Sequence, residues 1–104
     1  MQVILIYVTI GNILDAEKLS RQLVEDKLVA CANIYPGIRA IYEWDGKMMH
    51  DEEVSIILKT RAELWEKVRE RIVELHPYDC PAILALPVQD VHQPYLQWIH
   101  DKTP

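Results

Sequence analysis

Phenylalanine is absent from this 104-residue chain, glycine occurs three times and cysteine twice. Gly11, Gly37 and Gly46 lie far apart, so no glycine-rich phosphate cradle can form, which excludes Walker and Rossmann nucleotide sites. An acylphosphatase-type phosphate loop is missing too, since Val8-Thr9-Ile10-Gly11-Asn12 does not supply it. Cys31 and Cys80 form no C-x-x-C pair, which removes zinc-ribbon and thioredoxin chemistry and leaves two expected thiols. Basic residues are the minority sign: 11 Lys+Arg stand against 16 Asp+Glu, a formal charge of -5. A nucleic-acid partner would call for a basic surface, and is not expected. No apolar run approaches the ~20 residues of a membrane span. Met1-Gln2-Val3-Ile4-Leu5-Ile6 has no basic n-region, so a cytoplasmic protein is expected.

What is present is average in amount, with 50% hydrophobic and 26% charged residues, the make-up of one globular domain over 1–104. Val3 through Val8 is a short, β-branched apolar run that predicts a central strand buried on both faces. Asn12 is placed to cap a helix with Asp15 in its first turn. Ala16, Leu19, Leu23 and Val24 recur at helical spacing to about Lys27. A second strand runs from Leu28 to Tyr35. Pro36-Gly37 then reads either as a tight turn or as a bulge inside one long strand. Ile38, Ala40, Tyr42 and Trp44 alternate with Arg39, Ile41 and Glu43, Asp45-Gly46 marks a hairpin, and Lys47–Thr60 returns. These strands exceed the usual ~3–10 residues. A ribbon that long needs a cover, and a second subunit is the expected one.

A second helix follows over about 62–75, with Trp65, Val68, Ile72 and Leu75 as its apolar stripe and Pro77 as its stop. Ala82–Pro87 reads as a last core strand, and Pro94–Ile99 as a short terminal helix. The order β-α-β-β-α-β plus a helix predicts an α+β, ferredoxin-like domain with an extended hairpin and a C-terminal helix. That fold hosts many unrelated activities, so function has to be read from side chains.

Ser20 and Ser55 sit outside any nucleophile elbow. His50-Asp51-Glu52-Glu53 offers four metal-ligand types, but on a strand His50 and Glu52 share one face and Asp51 and Glu53 the other, so at most two converge. His76-Pro77-Tyr78-Asp79-Cys80 joins imidazole, carboxylate and thiol in a Pro-stiffened loop, a set that suits copper or zinc. The same residues would serve equally as a cap and turn. His92 and His100 flank the terminal helix and are expected to be exposed.

Three segments together resemble the CutA family of divalent-cation-tolerance proteins. They are Leu28 through Ile38, Tyr42-Glu43-Trp44-Asp45-Gly46-Lys47 leading to Leu58-Lys59-Thr60, and His76-Pro77-Tyr78 through Leu86-Pro87-Val88, with Tyr95-Leu96-Gln97-Trp98 in support. The resemblance covers nearly the whole chain. It implies a ferredoxin-like subunit in a homotrimer whose hairpin reaches a neighbour, and it favours a bend at Pro36-Gly37 within one strand. It implies tolerance of divalent cations and response to metal ions, with copper as the expected metal and no enzymatic reaction. Family trimers also resemble PII-type signalling proteins, so sensing of a small ligand between subunits, with Lys59 meeting an anion, is the alternative; a structural trimeric scaffold is a third. Carried over as motif residues are Cys31, Tyr42, Trp44, Lys59, His76, Pro77 and Tyr78, of which Cys31 and His76 are natural copper ligands. Tyr42, Trp44 and Ile56 are the candidates for intersubunit surface.

Overall fold

The computed structural model describes residues 2–104: β1 (Val3–Ile10), α1 (Ile13–Glu25), β2 (Cys31–Trp44) and β3 (Lys47–Arg61) come first. A 3-10 turn (Ala62–Leu64), α2 (Trp65–Leu75), β4 (Ile83–Pro87) and α3 (Gln93–Lys102) complete the chain. The strands form one antiparallel sheet in the order β2-β3-β1-β4. β3 therefore lies between β1 and β2, the parallel pair that α1 connects, which is the split βαβ arrangement of the ferredoxin-like plan.

Local chemistry explains the boundaries. Asn12 caps α1, its side-chain oxygen accepting the Asp15 backbone N–H at 2.9 Å, as its residue type predicts. The helix stops at Glu25 rather than about Lys27, because Lys27 turns left-handed (φ 59°) and the Leu28 N–H donates back to the Leu23 carbonyl at 3.1 Å. That is a Schellman-type end with lysine where glycine is usual. The strand predicted from Leu28 begins regular pairing at Cys31. The predicted helix over 62–75 starts as a 3-10 turn, so its α-helical part is Trp65–Leu75.

Pro36-Gly37 is a bulge inside β2, not a turn: Tyr35 pairs with Ser55 and Ile38 with Glu53, three steps on one strand against two on the other. Gly37 takes φ 78° there, a conformation that a Cβ would strain. The extra residue resets the alternation of β2. Ile38, Ala40, Tyr42 and Trp44 consequently fall on the same side of the sheet as Cys31, Asn33 and Tyr35. The ribbon runs on past the other strands and stretches the subunit to 46 × 25 × 22 Å.

The core sits on one side of the sheet. Ile4, Ile6, Val8 and Ile10 of β1 and Val54, Ile56 and Leu58 of β3 pack against Leu19 and Leu23 of α1 and Val68 and Ile72 of α2. Trp65 is only half-buried and Leu75 is exposed, so the α2 stripe is narrower than predicted. On the other side α3 covers one end, packing Ile99 with Val3 and Ala30. The remainder of that face is open, and two expectations fail as a result. β1 is buried on one face and half-buried at Leu5, Tyr7 and Thr9 on the other. β4 is no core strand: Leu84 is 53% and Leu86 47% exposed, on the part of that face that α3 leaves open. Ile56, expected at a subunit interface, is fully buried in the subunit's own core.

Candidate functional site

The ribbon, the end of β1 and the loop after α2 line a cleft of about 670 Å³. β2 contributes Tyr42 and Trp44, β3 contributes Glu53, β1 contributes Thr9, and the loop contributes Pro77, Tyr78, Asp79 and Cys80. β-Strand periodicity explains the first group: Tyr42 and Trp44 are two residues apart on one face, as are Asp51 and Glu53 on the partner strand. Asp51 and Glu53 are half-buried while His50 and Glu52 on the opposite face are exposed. The run His50–Glu53 is thus divided as its alternation predicts.

Two phenols at the cleft are paired with carboxylates of β3. The Tyr42 hydroxyl donates to Asp51 at 2.5 Å and the Tyr78 hydroxyl donates to Glu53 at 2.8 Å. Both phenols are held above their ordinary range. For Tyr42 the leading cause is the bond to Asp51. For Tyr78 burial comes first and the Glu53 bond second, and together they push it up to about 12. The two tyrosines are neutral donors at any physiological pH, so the charge of the cleft is that of its carboxylates. No salt bridge reaches Asp51, Glu53 or Asp79 among the described residues.

His76 holds the loop in place. Its Nδ1 accepts the Tyr78 backbone N–H at 3.1 Å, so Nε2 carries the proton and donates to the Thr9 carbonyl at 2.8 Å. The ring is 6% exposed and packs edge-on against Tyr78 at 4.7 Å between centroids. Both nitrogens are committed to protein partners. Within the subunit His76 is therefore a pin between the end of α2 and β1, positioning Tyr78 rather than facing the cleft with a free lone pair.

Cys31 and Lys59 lie elsewhere. They pair with one another across β2 and β3, and Lys59 faces Leu5 of β1, whereas His76 meets Thr9. Four residues of strand at about 3.3 Å each separate the two places by roughly 13 Å. Lys59 donates to the Tyr95 hydroxyl of α3 at 3.2 Å, and that bond raises its pKa. Tyr42, Trp44, Pro77 and Tyr78 thus meet at one cleft, Cys31 and Lys59 at a second place, and His76 supports the first. His92 and His100 are exposed, as expected. Among the described residues no group of three or more His, Cys, Asp and Glu side chains is gathered as a metal site.

A family profile described as CutA1 divalent ion tolerance protein matches residues 4–102. The chain belongs to the CutA1 family. A divalent-cation tolerance protein CutA of Pyrococcus horikoshii is 48% identical over 100 residues, spanning 96% of this chain and 97% of that one. The crystal structure of CutA from Xylella fastidiosa superposes with TM-score 0.97 at 34% identity and full coverage of both chains. A protein of Archaeoglobus fulgidus named a periplasmic divalent cation tolerance protein CutA superposes with TM-score 0.95 at 34% identity, covering 98% and 99%. CutA1 relatives thus include one named for the periplasm. For this chain, no helix of the described residues is long and apolar enough to cross a membrane.

Sequence reasoning offered Asp79 in the loop His76–Cys80 but missed Thr9 and Gly11 as neighbours of the CutA1 cleft. A Cβ on Gly11 would come within 3.3 Å of the Tyr78 hydroxyl oxygen, a proximity no local pattern signals. The pairing of Tyr78 with Glu53 makes a direct prediction. Glu53→Gln removes the carboxylate but not the burial, so the Tyr78 phenol should fall from about 12 part-way toward the ordinary tyrosine value of about 10. Ultraviolet phenolate titration of both proteins reads this; an unmoved Tyr78 would show that Glu53 does not hold it.

Proposed function

We propose that this CutA1-family chain acts as a cytoplasmic homotrimer that binds divalent cations, copper foremost, in the cleft between its hairpin and the loop after α2 and so takes part in the response to metal ions. The observation that carries the reading is the chemistry of the cleft: Glu53, Asp79 and the exposed Cys80 line one space that contains no protein cation. Carboxylate with thiolate suits a borderline or soft divalent ion. The residues fit a metal only in part, because a stable site wants about four ligands and, although three line the cleft, no three His, Cys, Asp or Glu side chains among the described residues converge closely enough to hold an ion. A neighbouring subunit is the natural source of the rest. Cys31, half-buried on the open face of the sheet, would ligate only toward such a neighbour.

The assembly part of the reading rests on the same open face. Tyr35 of β2 and Leu84 and Leu86 of β4 are 47–53% exposed on it, and exposed large apolar side chains on one sheet face suit an interaction surface. Sensing of a small anion fits less well. Lys59 is already bonded to Tyr95, and the cleft carries the charge of its carboxylates. The family description speaks of tolerance and names no reaction.

Calorimetric titration with copper(II), alongside light scattering, tests the reading. The expected result is a mass of three times 12.2 kDa and a defined number of ions per trimer, with affinity lowered at least tenfold in Glu53→Gln. Equal weak binding by both proteins would remove the cleft as the metal site.

A further inference from the structure

The ribbon and the open sheet face are the surfaces that the proposed assembly covers, so side chains exposed there in one subunit are not free surface. The helix side of the sheet faces away from them. There a second, smaller groove of about 280 Å³ runs between α1 and the end of α2. Ile10 and Leu19 form its floor, and both belong to the core between sheet and helices. Leu75, 39% exposed, and Pro77 make an apolar wall. The polar rim is Asp15, Lys18 and Gln22 of α1 with Glu74 of α2.

Only part of that rim is satisfied by the protein. Asp15 accepts the Asn12 side-chain amide on Oδ2 at 3.1 Å. Gln22 donates its Nε2 to Asp26 at 2.9 Å, and Glu74 accepts Arg71 on Oε1 at 3.0 Å. Asp15 Oδ1, Gln22 Oε1 and Glu74 Oε2 keep no protein donor among the described residues. Lys18 lies one helical turn from Asp15, a spacing that permits pairing, yet it makes no ion pair among the described residues.

Three acceptor oxygens match the three donors of an ammonium group, and a free lysine matches a carboxylate. We propose that this groove binds a free α-amino acid with a branched aliphatic side chain. Its ammonium meets Asp15, Gln22 and Glu74, its carboxylate meets Lys18, and its side chain lies against Leu75 and Pro77. An anion alone would face two carboxylates, and a cation alone would face the lysine. A zwitterion opposes neither charge. Its aliphatic end also removes the apolar wall from water, which a polar zwitterion such as glycine cannot do. The volume of about 280 Å³ falls just below the roughly 300–1,000 Å³ of drug-sized sites, so the occupant is smaller than those. This site is separate from the proposed cation cleft and does not depend on it.

The experiment uses the full chain in its native assembly, free of added metal. Leucine is titrated in at constant pH and ionic strength while the Gln22 side-chain amide and Leu75 methyl resonances are followed by NMR. Glycine, isoamylamine and 4-methylpentanoate serve as analogues that lack the side chain, the carboxylate and the ammonium. Saturable shifts at both residues are expected with leucine, with a Kd on the order of 1 mM, and each analogue should bind more weakly. Lys18→Gln and Glu74→Gln should each weaken leucine about fivefold, the effect of losing one exposed charge pair. Both positions are exposed on helices, and unchanged circular dichroism separates loss of binding from loss of fold. A response to isoamylamine equal to that of leucine would make the groove a cation site and end the proposal. An equal response to 4-methylpentanoate would make it an anion site, with the same consequence. Leucine shifts that never saturate, or that persist undiminished in both variants, would also overturn it.

Discussion

His76→Ala should lower the unfolding free energy by about 2–4 kcal/mol, the sum expected for two part-buried polar groups left without partners and a small cavity at the buried ring. The Thr9 carbonyl and the Tyr78 backbone N–H would both be orphaned. The effect should not stay local, because the same ring packs against Tyr78, whose hydroxyl reaches Glu53 on the ribbon. The loop would lose its anchor, and cation binding at the cleft should fall with stability. His76→Gln, able to restore one of the two bonds, should recover part of both. Guanidinium denaturation at fixed protein concentration measures the first quantity, and calorimetric titration the second. A loss below about 0.5 kcal/mol in His76→Ala would show that the pin is dispensable. Selective loss of copper with unchanged stability would restore the ring to the role of a direct ligand.

Leu84→Asp combined with Leu86→Asp should break the assembly without unfolding the subunit. Both side chains stand on the uncovered face of edge strand β4, opposite Tyr7 and Leu5 of β1. In an isolated subunit the substitutions place charge in water and cost little. Within a dry interface each would leave a charge uncompensated, which is strongly unfavourable. Light scattering should move to a mass near 12.2 kDa while the circular dichroism of the sheet and helices persists. An intact oligomer would locate the interface elsewhere on the subunit. Because the metal reading takes ligands from a neighbour, the dissociated variant should also bind copper more weakly than the wild type.

Most of the architecture was legible from periodicity. Asn12 with Asp15, the apolar stripe of α1, the alternation from Ile38 to Trp44 and the Asp45-Gly46 turn each carry their information within a few residues, where local sterics and hydrogen bonding act. Boundaries were less legible at Lys27, because a left-handed lysine breaks the glycine preference and only the bond from Leu28 to Leu23 reveals the cap. The status of β4 was misread for a different reason. A continuous apolar run means burial, and from sequence a core and an interface look alike.

The candidate site divides along the same line. Sequence by itself determined the ferredoxin-like order of elements and the family. It also determined the face shared by Asp51 and Glu53, since strand geometry obliges residues two apart to point the same way. Only the tertiary structure decided which of the motif residues meet. Tyr42 and Tyr78 are brought to one cleft by a one-residue bulge at Pro36-Gly37 and by the His76 pin to Thr9, while Cys31, on the same face of the sheet, lies beside Lys59 and away from that cleft. Those relations join residues 9, 42, 53 and 78, far apart along the chain. They are set by sheet register and by a single buried imidazole, neither of which leaves a periodic trace. The scarcity of glycine takes its meaning here too: three suffice, because two make the bulge and the hairpin turn and the third leaves room for Tyr78.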